Sequence, residues 1–109
     1  MNFTKLGGLV PAVIQDYRTR DVLMVGFMNA EAFARTQATG YVTFFSRTRG
    51  ALWTKGETSG NRLAVVSIAI DCDEDTVLVQ ARCEGDGLVC HTGRRTCFTE
   101  LVAQPEGAR

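Results

Sequence analysis

Only one stretch of the chain, from Asn29 to Gly40, carries both a start and a stop signal for a helix, and this restricts the fold sharply. Asn29 is a strong N-cap, Glu31 sits in the first turn, and Gly40 supplies the left-handed stop. The spacing predicts one helix over about 29–39, with Ala30, Phe33, Ala34 and Gln37 along one face. Elsewhere the apolar residues fall in runs of five to nine, too short for helices and rich in β-branched side chains. LVPAVIQDY and VLMVGFM, split by Arg18-Thr19-Arg20-Asp21, read as a β-hairpin with a four-residue loop. Residues 41–47 and 51–55 form a second strand pair around Arg-Thr-Arg-Gly, while GETSGN at 56–61 reads as a loop. Residues 63–71 and 76–83 complete about six strands. The expected class is therefore α+β, mainly β, with a single helix.

A chain of 109 residues and 11.9 kDa is one compact domain by length. With 45% apolar residues it can form a core without disulfide staples. One unit spans 1–109, with its core at about 9–100 and a flexible tail, PEGAR, at 105–109. Twelve basic residues balance twelve acidic ones, so no global field recruits nucleic acid or a membrane surface. The N-terminus lacks a signal-peptide pattern and no apolar stretch is long enough to span a bilayer, which reads as a cytoplasmic protein. In a reducing compartment Cys72, Cys83, Cys90 and Cys97 are more often metal ligands or catalytic groups than cystines, with a disulfide pair as the alternative.

The turn Asp71-Cys72-Asp73-Glu74-Asp75 places three aspartates at i, i+2 and i+4. In extended chain these carboxylates share one face and Cys72 points the other way. Such hard oxygen ligands suit Mg²⁺ or Ca²⁺; the plainer reading is a solvated acidic turn. An EF-hand is excluded, because its required Gly and Glu positions hold Thr76 and Arg82.

Near the C-terminus, Cys90 and Cys97 flank the chain's only histidine, His91. Thiolates are ligands Zn²⁺ prefers, and three of them leave an open position for water; Cys72 can complete the trio. Buried free thiols are the competing reading, and Cys83, at the end of an apolar strand, is expected to be a core residue. His91 is either a loop histidine satisfied by a backbone carbonyl or a proton carrier beside the metal. The zinc deaminase signature is absent. Between Ser46 and Asn61, Arg47, Arg49, Trp53, Lys55 and Ser59 offer cations, an indole and a hydroxyl that can hold phosphate and stack on a base; an ordinary polar hairpin rim is the alternative.

Taken together, VLMVGFMN, SRTRGALWTKGETSGN, DCDED and CHTGRRTCF, in this order from about Leu9 to Glu100, closely resemble the phosphoribosyl-AMP cyclohydrolase family of histidine biosynthesis. The resemblance implies a metal-dependent hydrolase that opens the adenine ring of N1-(5-phosphoribosyl)-AMP at the N1–C6 bond with zinc-activated water. It matches Asp71, Asp73 and Asp75 to magnesium ligands, and Cys72, Cys90 and Cys97 to zinc ligands shared across an intertwined homodimer. His91 is then the candidate proton carrier, and Arg47, Arg49, Lys55 and Ser59 the candidate phosphate contacts, with Trp53 against the base. Some members carry a second, pyrophosphohydrolase domain; for a chain ending at Arg109 only the cyclohydrolase step is expected. Phe44-Phe45 stands where the family often has an aromatic pair containing Trp, which reads as a packing change. A noncatalytic zinc-stabilised binding module is the alternative from another class, and it requires a coordinatively closed metal.

Overall fold

Two hairpins lie side by side in one sheet, and the segments between them cover one face of it. The structure is a computed structural model that describes residues 1–105. Strands β1 (Val10–Asp16) and β2 (Val22–Met28) form the first hairpin, and β5 (Leu63–Ile70) and β6 (Val77–Cys83) the second. Their sheet runs β2-β1-β6-β5, antiparallel within each hairpin but parallel where β1 meets β6, with Ala12 opposite Val77 and Asp16 opposite Ala81. Helix α1 (Ala30–Thr39) and the two-stranded ribbon β3 (Thr43–Ser46) and β4 (Ala51–Thr54) fill the crossing between them. The expected mainly β single domain with six strands and one helix is thus what the described residues form. Of the expected tail at 105–109, Pro105 is exposed coil and 106–109 lie outside the described residues.

The helix ends follow from its caps. The Asn29 side chain accepts the Ala32 amide at 2.8 Å, and Gly40, at φ 77°, donates its N–H to the Thr36 carbonyl. The buried face differs from the expected one: Ala32 and Thr36 are fully buried and Phe33 partly so, whereas Ala30, Ala34 and Gln37 face solvent. Thr36 can turn inward because its hydroxyl donates to the Ala32 carbonyl and accepts the Thr43 amide at 3.0 Å, leaving no polar atom orphaned. This bond also joins the helix to β3.

Alternation along β1 buries Val10, Ala12 and Ile14 on the covered face, beside Met24, Val77 and Val79. Phe44, 1% exposed, lies against the sheet where Gly26 leaves room for its ring: a Cβ at Gly26 would fall 2.5 Å from Phe44 Cδ1. The opposite face is open, and Val25, Val13, Leu78 and Ala69 form a continuous row across all four strands. No helix among the described residues is long and apolar enough to cross a membrane.

The C-terminal segment is tied to this sheet by a guanidinium. Arg95 donates from Nη1 to Asp21 at 2.7 Å and from Nη2 to Asp16 at 3.0 Å. Burial pushes the Asp16 carboxyl up, but the amides of Arg18 and Thr19 and the Arg95 guanidinium outweigh it, so the group ionises below the ordinary aspartate range. The stabilisation from a folded value below the unfolded one is fully present above about pH 4 and is lost as pH falls through the folded value.

Two outcomes are expected. Gly26→Ala should overpack the Phe44 ring and cost about 1–3 kcal/mol, read as a thermal midpoint lower by about 5–15 °C. Asp16→Asn should cost about 1.5–3 kcal/mol at neutral pH, the range for hydrogen bonds to charged groups. In urea melts across pH, its gap to the parent should narrow below about pH 4.

Candidate functional site

A cavity of about 440 Å³ opens where the β4 end and the 56–61 loop face the segment after β6. Trp53, Lys55, Glu57 and Ser59 form one wall, Val89, Cys90, His91 and Gly93 another, and Arg49 reaches the rim. Two segments some thirty residues apart in sequence, each singled out for its chemistry, therefore share one space. Trp53 pairs with Phe44 across the ribbon, ring centroids 5.2 Å apart, so one ring serves the core and the cavity at once. The Lys55 ammonium stands 5.9 Å from the Trp53 ring centroid. Arg47 departs from the group: its guanidinium stacks 4.1 Å above Phe27 and lies outside the cavity lining.

The 56–61 loop is held by close packing. Gly56, at φ 79°, has the Asn61 carbonyl 2.3 Å from where a Cβ would stand, and Gly85, at φ 66°, meets Asn61 Oδ1 at 2.2 Å in the same test. A side chain at Gly56 would force the 56–61 loop itself open, and one at Gly85 would push the segment after β6 away from that loop. Asn61 bridges them: its Oδ1 accepts the Asp86 amide at 2.9 Å and its Nδ2 donates to the Leu88 carbonyl at 3.3 Å. It thus sets the approach of the segment that leads into Cys90 and His91. Composition marks 56–61 only as a loop; the Asn61 bridge spans more than twenty residues and has no local sequence signal.

Cys90 and Cys97 lie near enough for each thiol to perturb the other. The Thr92 hydroxyl, 2.9 Å from Cys90 Sγ, and the Thr92 amide lower the Cys90 thiol below its ordinary value, aided by Cys97. Burial and the neighbouring Cys90 push Cys97 the other way. Two adjacent thiols, one biased toward thiolate, are a soft donor pair that fits Zn²⁺ with coordination positions to spare. Cys83 is half-buried against the core, and burial raises its thiol, as expected for a structural cysteine.

Cys72 does not join the pair within one chain. It is exposed on the acidic turn between β5 and β6, whereas Cys97 is hydrogen-bonded to Leu23 on β2, the opposite edge strand. The three aspartates beside it do converge, with carboxylate oxygens within 4.8 Å of one another. They converge by a different route from the strand alternation expected. The segment is a turn with Glu74 in the left-handed region at φ 61°, and Asp71 Oδ1 accepts the amides of Asp75 and Thr76. Burial and the neighbouring carboxyls raise Asp71, while Asp73 is lowered by Asp71, Asp75 and Lys5. Lys5 donates to Asp73 at 3.3 Å and to Asp75 at 3.1 Å. A gathered set of hard oxygens that already attracts an ammonium fits a small divalent cation.

Asn61→Ala should loosen the bridge. The Asp86 amide is expected to exchange with solvent about tenfold faster, the equivalent of about 1.4 kcal/mol, within the range for one lost hydrogen bond.

Comparison with known proteins agrees with the earlier resemblance. The family model for phosphoribosyl-AMP cyclohydrolase matches residues 24–99. The histidine biosynthesis bifunctional protein HisIE of Bacteroides thetaiotaomicron is 60% identical over 105 residues, covering 96% of this chain and 51% of that protein. The phosphoribosyl-AMP cyclohydrolase of Paramagnetospirillum magneticum is 55% identical over 100 residues, covering 92% of this chain and 74% of the relative. That of Desulfatibacillum aliphaticivorans is 51% identical over 102 residues, covering 94% and 81%. The chain spans about half the length of the bifunctional relatives it matches. With a family match across both cavity walls and the acidic turn, the chain belongs to the phosphoribosyl-AMP cyclohydrolase family.

Proposed function

We propose that this chain catalyses the cyclohydrolase step of histidine biosynthesis: water adds to C6 of the adenine ring of N1-(5-phosphoribosyl)-AMP and the N1–C6 bond breaks. The observation that carries the reading is the single cavity joining Cys90 and His91 to the Trp53–Ser59 strip. Cys90 and Cys97 would hold Zn²⁺. When bound, it supplies an acidified water, its pKa lowered towards about 7, as a nucleophile at neutral pH. His91, on the same wall, takes the proton released as water adds to C6 and returns it to N1 as the ring opens. Lys55, Arg49 and Ser59 bind phosphate at the cavity, and Trp53 offers its face to the base. Arg47, stacked on Phe27 outside the cavity lining, is the remaining candidate phosphate contact.

Asp71, Asp73 and Asp75 would hold Mg²⁺. The third thiol, Cys72, comes from a second copy of the chain, which fits its exposure on a turn away from the Cys90–Cys97 pair. The open row of Val25, Val13, Leu78 and Ala69 supplies apolar area for such a homodimer. Free thiols at these positions suit the reducing cytoplasm.

An ultraviolet time course with phosphoribosyl-AMP tests the reading. Turnover is expected, stopped by a zinc chelator and restored by Zn²⁺. His91→Ala should keep its zinc and its fold but lose about 10²–10⁴-fold in rate. Absence of turnover from folded, zinc-loaded protein supplied with Mg²⁺ would overturn the enzyme reading in favour of a noncatalytic zinc-stabilised binding module.

A further inference from the structure

The loop carrying Cys90 and Cys97 is fixed in two different ways at its two ends. At its start Val89, 2% exposed, is seated in the core. The loop then closes on itself, with the Cys90 amide donating to the Arg94 carbonyl and the Gly93 amide to the Cys90 carbonyl, both at 2.9 Å. Its far end has no apolar anchor of this kind. Three consecutive residues hold it to the first hairpin instead. Arg95 grips Asp21, Asp16 and Thr19 at 2.7, 3.0 and 2.8 Å. The Thr96 hydroxyl donates to the Val22 carbonyl at 2.9 Å, and the Cys97 amide donates to the Leu23 carbonyl at 2.8 Å.

The Arg95 grip is stiff because of its partners. Asp16 is 4% exposed, and its other oxygen already accepts the amides of Arg18 and Thr19, so the carboxylate cannot shift without breaking the hairpin loop. A planar fork with several donors can reach two carboxylates and a hydroxyl in one fixed orientation; an ammonium on a flexible stem cannot. Two carboxylates also neutralise the guanidinium, so it acts on the thiols through the backbone, not through its charge.

We propose that Arg95 is a positioning residue for the Cys90–Cys97 pair: its fork on Asp16 and Asp21 fixes Cys97 along β2 and thereby the separation of the two sulfurs. The proposal rests on the zinc reading for the use of that separation, not for its existence.

The test uses the full chain and two probes, Zn²⁺ by competition with a chromophoric chelator and metal-free capture of phenylarsine oxide, which needs two sulfurs close together. Cys90→Ser defines the background. Arg95→Met is expected to weaken both by about 10–100-fold, the usual cost of losing support behind a metal ligand, in protein that is still folded at the assay temperature. Arg95→Lys should restore only part. A merely structural role would lower the melting temperature while leaving both affinities of the folded protein unchanged, and that result overturns the proposal. So does a parent protein that fails to capture the arsenical. A parent that captures the arsenical but not zinc refutes the zinc reading alone, and the arsenical ratio still decides the role of Arg95. Should Arg95→Met not fold, Asp21→Asn, which removes the exposed half of the grip, is expected to weaken capture in the same direction by less; unchanged capture there overturns the proposal.

Discussion

The parallel pairing of β1 with β6 is the constraint on which the rest of the molecule depends. Two hairpins can share a sheet in this way only if the chain between them crosses from one edge strand to the other, and parallel strands need a crossover of a dozen or more residues. Here the crossover consists of α1 and the β3–β4 ribbon, which cover one face of the sheet and leave the other open. The same pairing determines where the chemistry goes. It places the acidic turn at one corner of the sheet, beside the start of β1, and lets the segment after β6 return to the β1–β2 loop at the far end. The aspartate cluster and the Cys90–Cys97 pair are thereby kept apart within one chain, with Cys72 alone among these thiols on the acidic turn.

Local charge does the work that net charge cannot. The chain is formally neutral, yet Asp71, Asp73 and Asp75 gather beside Lys5, and Asp16 and Asp21 gather around Arg95. The two groups differ in burial. Lys5 and its partners are mostly exposed, so their attraction is weak and readily exchanged for another cation. Asp16 is buried, and removing its partner would leave an uncompensated charge in the interior, which makes that contact a fixed joint.

Elements governed by near neighbours were legible in the sequence. Asn29 and Gly40 fixed the helix ends because capping is decided within four residues, and β-branched alternation marked the strands for the same reason. The helix face was misjudged because a threonine looks polar until a partner for its hydroxyl is known, and Thr43 lies seven residues on. Alternation also gives no sign of which strands pair, so the parallel β1–β6 contact was out of reach. The aspartates were expected to converge along an extended strand, whereas a left-handed Glu74 and two amides on Asp71 bring them together. Arg95 and Asn61 were missed for one reason: their partners lie between 25 and 79 residues away, and only the fold makes them neighbours.

Trp53 is the only tryptophan in the chain, and it forms the boundary between the core and the cavity. Its indole packs on Phe44 and also lines the cavity, with the Lys55 ammonium nearby. Intrinsic fluorescence from this protein therefore has a single, known origin, and its two sources of variation are separable. Loss of the Phe44 contact on unfolding exposes the ring to water and moves the emission to longer wavelength, while a ligand stacking on it in the folded state changes intensity without that shift. The fold carries its own optical probe of cavity occupancy, with no label to attach.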